Sequence, residues 1–219
     1  MALILLLMLL PTMLMYTYFA RPQDPGPYAT PSQWKLVFFD DFNGTSLNLT
    51  KWSYNYPPDW SHGGHTLNHQ AYMTEDNVIV EDGLLKLRAE NQQDPNAPPP
   101  ENVSGQMLYY NYTAAAINTK GKFNFTYGYI EGRFKMPTSQ GFWPAFWLMN
   151  SNGEWPPEID ILEVLTNNPT TLHCTFHWGI LPEHKQFSPH VQPLPDLSAD
   201  FHNYGVEWTP DSISWFFDG

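Results

Sequence analysis

Three features of this 219-residue chain predict an all-β fold. Aromatic residues make up 16% of it and charged residues only 15%. Its 21 prolines and 14 glycines punctuate the apolar runs, and no stretch sustains the 3.6-residue period of an amphipathic helix. Aromatic and β-branched runs broken by turn formers are the pattern of short strands joined by loops. A chain of this length is expected to form one substantial domain.

Taken in order, the chain opens on an apolar run, Ala2–Leu10, which continues less purely to Ala20 before the polar stretch RPQDPGPYATP. Residues 1–20 are expected to be a signal peptide or membrane anchor and 21–31 a linker, both outside the fold. The apolar stretch is just long enough to span a bilayer if it is not removed. Five Asn-x-Ser/Thr sequons, at Asn43, Asn48, Asn102, Asn111 and Asn124, fit a secreted glycoprotein, or simply Thr- and Asn-rich loops.

Residues 32–219 form the expected domain, with strands predicted at Trp34–Phe39, Val78–Val80, Leu84–Glu90, Ala114–Thr119, Thr126–Lys135, Phe142–Met149, Glu158–Leu165, Leu172–Trp178, Asn203–Glu207 and Ser212–Phe217. Proline-rich 91–106 is expected to be an exposed insertion without regular structure, and 181–199 to behave similarly. About ten strands on one core imply a two-sheet antiparallel sandwich of jelly-roll type, whose concave face could hold an extended ligand.

Ten Lys and Arg against 22 Asp and Glu leave a net charge of -12, so binding to nucleic-acid phosphates has no electrostatic basis. A neutral, hydroxyl-rich polymer suits an acidic, aromatic-rich cleft better. One cysteine, Cys174, removes both a disulfide framework and Cys-based zinc sites. The cluster His62, His65 and His69 lies in a Gly/Ser loop without acidic partners, so no metal site is expected there.

The most informative run is WPPEIDILEVL, residues 155–165. In a regular strand Glu158 and Asp160 share one face, but strict alternation sends Glu163 to the face of Ile159 and Ile161. A carboxylate buried there is costly. One extra residue, a β-bulge at Ile161–Leu162, re-phases the strand so that Glu158, Asp160 and Glu163 face one groove. Two carboxyls about 5–5.5 Å apart are what retaining glycoside hydrolysis uses, one as nucleophile and one as acid/base. A third between them pushes the neighbours' pKa values apart. A solvated acidic face or a calcium site is the alternative reading of the same residues.

In GFWPAFWLM (141–149), alternation puts Trp143, Ala145 and Trp147 on one face. In TLHCTFHW (171–178), Thr171, His173, Thr175 and His177 share a face, with Leu172, Cys174, Phe176 and Trp178 on the other, so Cys174 reads as a buried thiol. If this strand pairs with the acidic one, His177 or His173 can hydrogen-bond a carboxyl. The two histidines stand ~13 Å apart along a strand, too far to share a metal.

GFWPAFWLM, WPPEIDILE and TLHCTFHW in this order resemble glycoside hydrolase family 16, the laminarinase and lichenase group. The similarity extends through NHQAYMTEDNVIVEDGLLKLRAE (68–90), INTKGKFNFTYGYIEGRFK (117–135) and FHNYGVEWTPDSISWFFDG (201–219). The resemblance implies a concanavalin A-like jelly roll with a concave cleft, Glu158 as nucleophile, Glu163 as acid/base and Asp160 as the assisting acid. It further implies sugar contact for Trp143, Trp147 and Trp155 and an upstream sugar contact for Asn68, while His177 is a candidate site residue through its expected pairing with the acidic strand. No cofactor is required, although some members bind a structural calcium, for which Asp41 is the candidate ligand. His69-Gln70-Ala71 departs from many laminarinases, and Pro157 stands where they usually have glycine, so the particular β-glucan stays open. Family domains continue well past the stretch matched by 201–219, so the domain is expected to be incomplete at its C-terminus. The function implied is that of a secreted, monomeric endo-β-glucanase acting with retention on β-1,3- or mixed β-1,3-1,4-glucan. A transglycosylase of the same fold and a non-catalytic β-glucan-binding protein are the alternatives, and membrane contact is expected only through an uncleaved N-terminal anchor.

Overall fold

The computed structural model describes residues 2–6, 34–56, 70–103 and 105–219. Its strands are β1 (Ala2–Leu6), β2 (Ser53–Tyr54), β3 (Ala71–Met73), β4 (Val78–Glu81), β5 (Leu84–Leu87), β6 (Glu101–Val103), β7 (Gln106–Leu108), β8 (Tyr112–Ala114) and β9 (Ile117–Asn118). They continue as β10 (Gly128–Phe134), β11 (Ala145–Met149), β12 (Glu158–Glu163), β13 (Leu172–Ile180), β14 (Glu183–Phe187), β15 (His190–Val191), β16 (His202–Trp208) and β17 (Ile213–Phe217).

The larger sheet has the order β14-β13-β12-β11-β1-β9-β2, with β15 also pairing β13, and a three-stranded sheet β10-β16-β17 faces it. The pattern of alternation explains the layering. Phe146, Leu148, Ile159, Leu162, Leu172 and Cys174 of the larger sheet meet Ile130, Phe134, Tyr204 and Val206 of the smaller in one buried cluster. Phe134 and Phe146 touch across the layers with ring centroids 5.0 Å apart and planes at 64°. Each such side chain, once buried, contributes roughly 1.5–3 kcal/mol. The opposite, concave face of the larger sheet is therefore free to carry polar groups.

Most predicted strands are present, with shifted ends. Ala114–Thr119 is split between β8 and β9. Trp34–Phe39 is not a strand: Phe38 is buried edge-on against Trp52 at 5.5 Å, and Trp52 donates its indole N–H to Asp40 Oδ2 at 2.8 Å, so side-chain anchoring replaces a ladder there. Residues 91–106 are not devoid of structure, because β6 and β7 form a hairpin through Gly105 at φ +88. The segment 181–199 also contains strands: β14 folds back on β13, and β15 pairs its start.

Ala2–Leu6 lies within the fold as β1, antiparallel to β11 on one side and β9 on the other. Both neighbours would otherwise expose unpaired backbone edges, and an apolar extended segment satisfies them. Residues 7–20 and the linker 21–31 fall outside the described residues.

Candidate active site

The bulge forms where the sequence requires it. Along β11, Trp147 pairs Asp160 while the next residue, Phe146, pairs Leu162. Along β13, Thr175 pairs Asp160 and His173 pairs Glu163, leaving Cys174 opposite both Ile161 and Leu162. Ile161 and Leu162 are both buried, so the re-phased strand keeps its apolar side chains in the core and places Glu158, Asp160 and Glu163 on the concave face.

Across the ladder, the acids' neighbours on the same face are Met149, Trp147 and Ala145 of β11 and His177, Thr175 and His173 of β13. Trp155 Nε1 donates to Glu158 Oε2 at 2.5 Å, and the Trp143 side chain hydrogen-bonds Glu163. One indole thus anchors each glutamate. His177 Nε2 lies 3.2 Å from Asp160 Oδ2, and its Nδ1 lies 2.9 Å from His184 Nε2.

Burial raises all three carboxyls. Glu158 stands well above the usual carboxylate range, through desolvation first and then the charge of Asp160, with His177 and the Trp155 bond opposing. Desolvation and Glu163 push Asp160 up to about 8, and desolvation and Glu158 push Glu163 up to about 7. Glu158 and Asp160 are hydrogen-bonded to each other; two adjacent carboxyls in a dry site do not both ionise, so this pair holds a shared proton near neutrality. Glu158, Asp160 and His177 also offer donors within 4.8 Å of one another, the set that could converge on a cation. Here Glu158 and Asp160 are hydrogen-bonded to each other, and His177 lies against Asp160.

The tryptophans divide. Trp143 is 38% exposed and lines the cleft, whereas Trp147 is only 8% exposed and packs in the cleft floor with Met149, Tyr56, Ala145 and Trp155. Trp155 also lies over His184 and His177, with centroids at 4.7 and 5.7 Å. His173 shares the acids' face but bonds His190, with Nδ1 atoms 2.9 Å apart. Asn68, like His62, His65 and His69, lies outside the described residues. Beside the acids, and reaching them through Trp143 and Tyr56, is a cavity of about 540 Å³ whose walls include Gln70, Met73, Arg88 and Tyr112.

Four contributors were not anticipated. Met149 was visible in principle, two positions beyond Trp147 on the same face. Tyr56, whose hydroxyl is raised by burial and then by Glu158, His184 and Trp215 had no local signal, because each comes from a segment distant in sequence.

The fold and the site define a class: a jelly-roll sandwich whose concave sheet presents three carboxyls between tryptophans. Residues 66–219 match the glycosyl hydrolases family 16, and the chain belongs to that family. It is 32% identical to glucan endo-1,3-beta-glucosidase A1 of Niallia circulans over 93% of this chain and 33% of that protein. It is 37% identical to the endo-1,3-1,4-beta-glycanase ExsH of Rhizobium meliloti (strain 1021) over 64% of this chain and 28% of that one. The chain therefore spans about a third of the length of these relatives. Among solved structures, the endo-beta-1,3-glucanase from Pyrococcus furiosus superposes with a TM-score of 0.67 at 30% identity, covering 89% of this chain and 76% of that one.

Proposed function

We propose that the protein is an endo-acting β-glucanase that cleaves internal β-1,3 or mixed β-1,3-1,4 linkages with retention of configuration. The observation that carries this reading is the bulge in β12, which brings Glu158, Asp160 and Glu163 to one face with an indole N–H on each glutamate. Relatives named for 1,3- and 1,3-1,4-glucans support the substrate class.

In the first step Glu163, held up to about 7, gives its proton to the glycosidic oxygen. Glu158 as carboxylate attacks the anomeric carbon and the leaving sugar departs. The Trp155 bond favours the ionised form of Glu158, and moving the shared proton to Asp160 as Glu158 attacks spares the pair a second negative charge. In the second step Glu163, now a carboxylate, takes a proton from water, which attacks the glycosyl ester and frees Glu158. The half-exposed ring of Trp143 suits the C–H face of a pyranose while its N–H holds Glu163. The chemistry uses no cofactor.

Export belongs to the same proposal. All five sequon asparagines are exposed, which supports a glycosylated, secreted protein; removal of N-glycans should raise the mobility of protein recovered from the medium.

The test is reducing-end release from laminarin, lichenan and agarose beside Glu158→Gln. Release from the two glucans, abolished in the variant, is the expected result. Undiminished release by Glu158→Gln overturns the nucleophile assignment.

A further inference from the structure

The catalytic reading accounts for His177 but not for the second ring behind it. His184 sits on β14, directly opposite Gly179 of β13. Residues 177 and 179 lie on the same face of β13, two apart, so His184 is the diagonal neighbour of His177, a separation that aromatic side chains can bridge. Gly179 lets the β14 backbone close on β13 here: it holds φ +106, and a Cβ there would lie 2.4 Å from the carbonyl oxygen of Glu183. That pairing carries the His184 ring onto His177, its Nε2 2.9 Å from Nδ1 and the ring centroids 5.1 Å apart. Trp155 covers both rings while bonding Glu158.

Resting on the proposed retaining mechanism, we infer that His184 is a positioning residue: its Nε2–H fixes His177 as the tautomer that presents Nε2–H to Asp160. The groups facing the His177 ring are Asp160 and Glu158 of β12, with Glu163 further along the same strand, His184 of β14, and Trp155 before β12. Their chemistry selects the arrangement. In its neutral form His177 has one donor and one acceptor nitrogen. If Nδ1 carried the proton and His184 accepted it, a lone pair on His177 Nε2 would point at Asp160 Oδ2. It would either repel the carboxylate or draw off the proton that Asp160 shares with Glu158. With His184 as donor, His177 Nε2–H occupies Oδ2, and the Asp160 proton stays on the oxygen that serves Glu158. The nucleophile is then supported through four linked groups, His184, His177, Asp160 and Glu158, the outermost of which touches neither substrate nor reacting atoms. Neutral histidine tautomers are commonly set in this way, by the hydrogen bond made at the other nitrogen.

The experiment is long-range ¹H–¹⁵N NMR of the imidazoles in the intact chain, with His184→Leu, His184→Gln and Gly179→Ala. His177 is expected as the Nε2–H tautomer in the parent protein and in His184→Gln, whose amide still donates. His184→Leu and Gly179→Ala should populate the other tautomer. In laminarin hydrolysis His184→Leu should lower kcat about 10- to 100-fold, the range found for outer partners that orient metal-bound histidines, with KM little changed and the acid limb of the pH profile displaced. His184→Gln should recover most of the rate. An Nδ1–H tautomer in the parent protein overturns the inference, as does a His177 tautomer indifferent to His184→Leu. Loss of activity in Glu158→Gln beside an unaltered His184→Leu would reject the His184 role and leave the retaining mechanism standing; an active Glu158→Gln would reject the mechanism, while the NMR result still decides the tautomer.

Discussion

The indole nitrogen of Trp215 donates to the backbone carbonyl of Asp160 across 2.8 Å, joining β17 of the smaller sheet to the acidic strand of the larger. In a regular ladder that carbonyl would point sideways at a neighbouring strand, out of reach of the facing layer. The bulge breaks the ladder between Asp160 and Glu163, and side chains supply donors in its place. Cys174, opposite the bulge, offers its thiol to the carbonyl of Ile161 at 3.5 Å. The irregularity that aims the acids is thus held from the core side.

Replacing Trp215 with Phe keeps the ring and removes the donor. A buried carbonyl left without its partner costs about 1–3 kcal/mol, so the urea midpoint should fall with the slope unchanged. The rate on laminarin should fall as well, since Asp160 is no longer held in register. A variant as stable as the parent would mean that the bond contributes nothing.

Stability should decline as pH rises. Asp160 and Glu163 are held up to about 8 and about 7, from ordinary values of 3.8 and 4.5, chiefly by burial. A group with a raised folded pKa binds more protons folded than unfolded. Its stabilisation is complete below the unfolded value and lost as pH rises through the folded one, by up to about 1.4 kcal/mol per pH unit for each proton. Urea midpoints measured between pH 5 and 9 should therefore fall with pH. Asp160→Asn, which cannot ionise, should flatten the curve.

Activity should have a basic limb near neutrality, because the proton that Glu163 gives up is lost to solvent as pH rises through about 7. Glu163→Gln should abolish that limb along with most of the rate, read from kcat/KM across pH.

Trp155→Phe should act on the other limb. The indole bond lowers the affinity of Glu158 for a proton, so its loss should shift the acid limb to higher pH and reduce kcat below neutrality. An unmoved limb would place the role of Trp155 in packing over His177 and His184 alone.

Deleting Ile161 tests the bulge itself. The shortened run Glu158-Ile159-Asp160-Leu162-Glu163 alternates strictly, so the three acids stay on the cleft face without a bulge. The buried Ile161 side chain is lost from the core, so the thermal midpoint should fall while hydrolysis persists, measured by calorimetry and reducing-end release. Abolished hydrolysis in a folded variant would mean that the bulge sets the spacing of the acids and not only their face.

What the sequence determined by itself was the content of the acidic strand and its need for a bulge, because alternation has period two and cannot place Glu158, Asp160 and Glu163 together in any other way. The shared face of His177 and Thr175, the buried side of Cys174 and the two-layer core were legible for the same reason. Local periodicity, however, stops at the end of a strand. It could not show that 181–199 folds back to bring His184 onto His177, that Trp215 reaches Asp160 through the core, or that Trp147 lies in the floor while Trp143 stands open to the cleft. Nor could it show that Ala2–Leu6, apolar like a leader, pairs between β11 and β9. Those contacts join residues tens of positions apart, and only the closure of the two sheets on one core, which sets the distance between layers and the free edges to be filled, decides them.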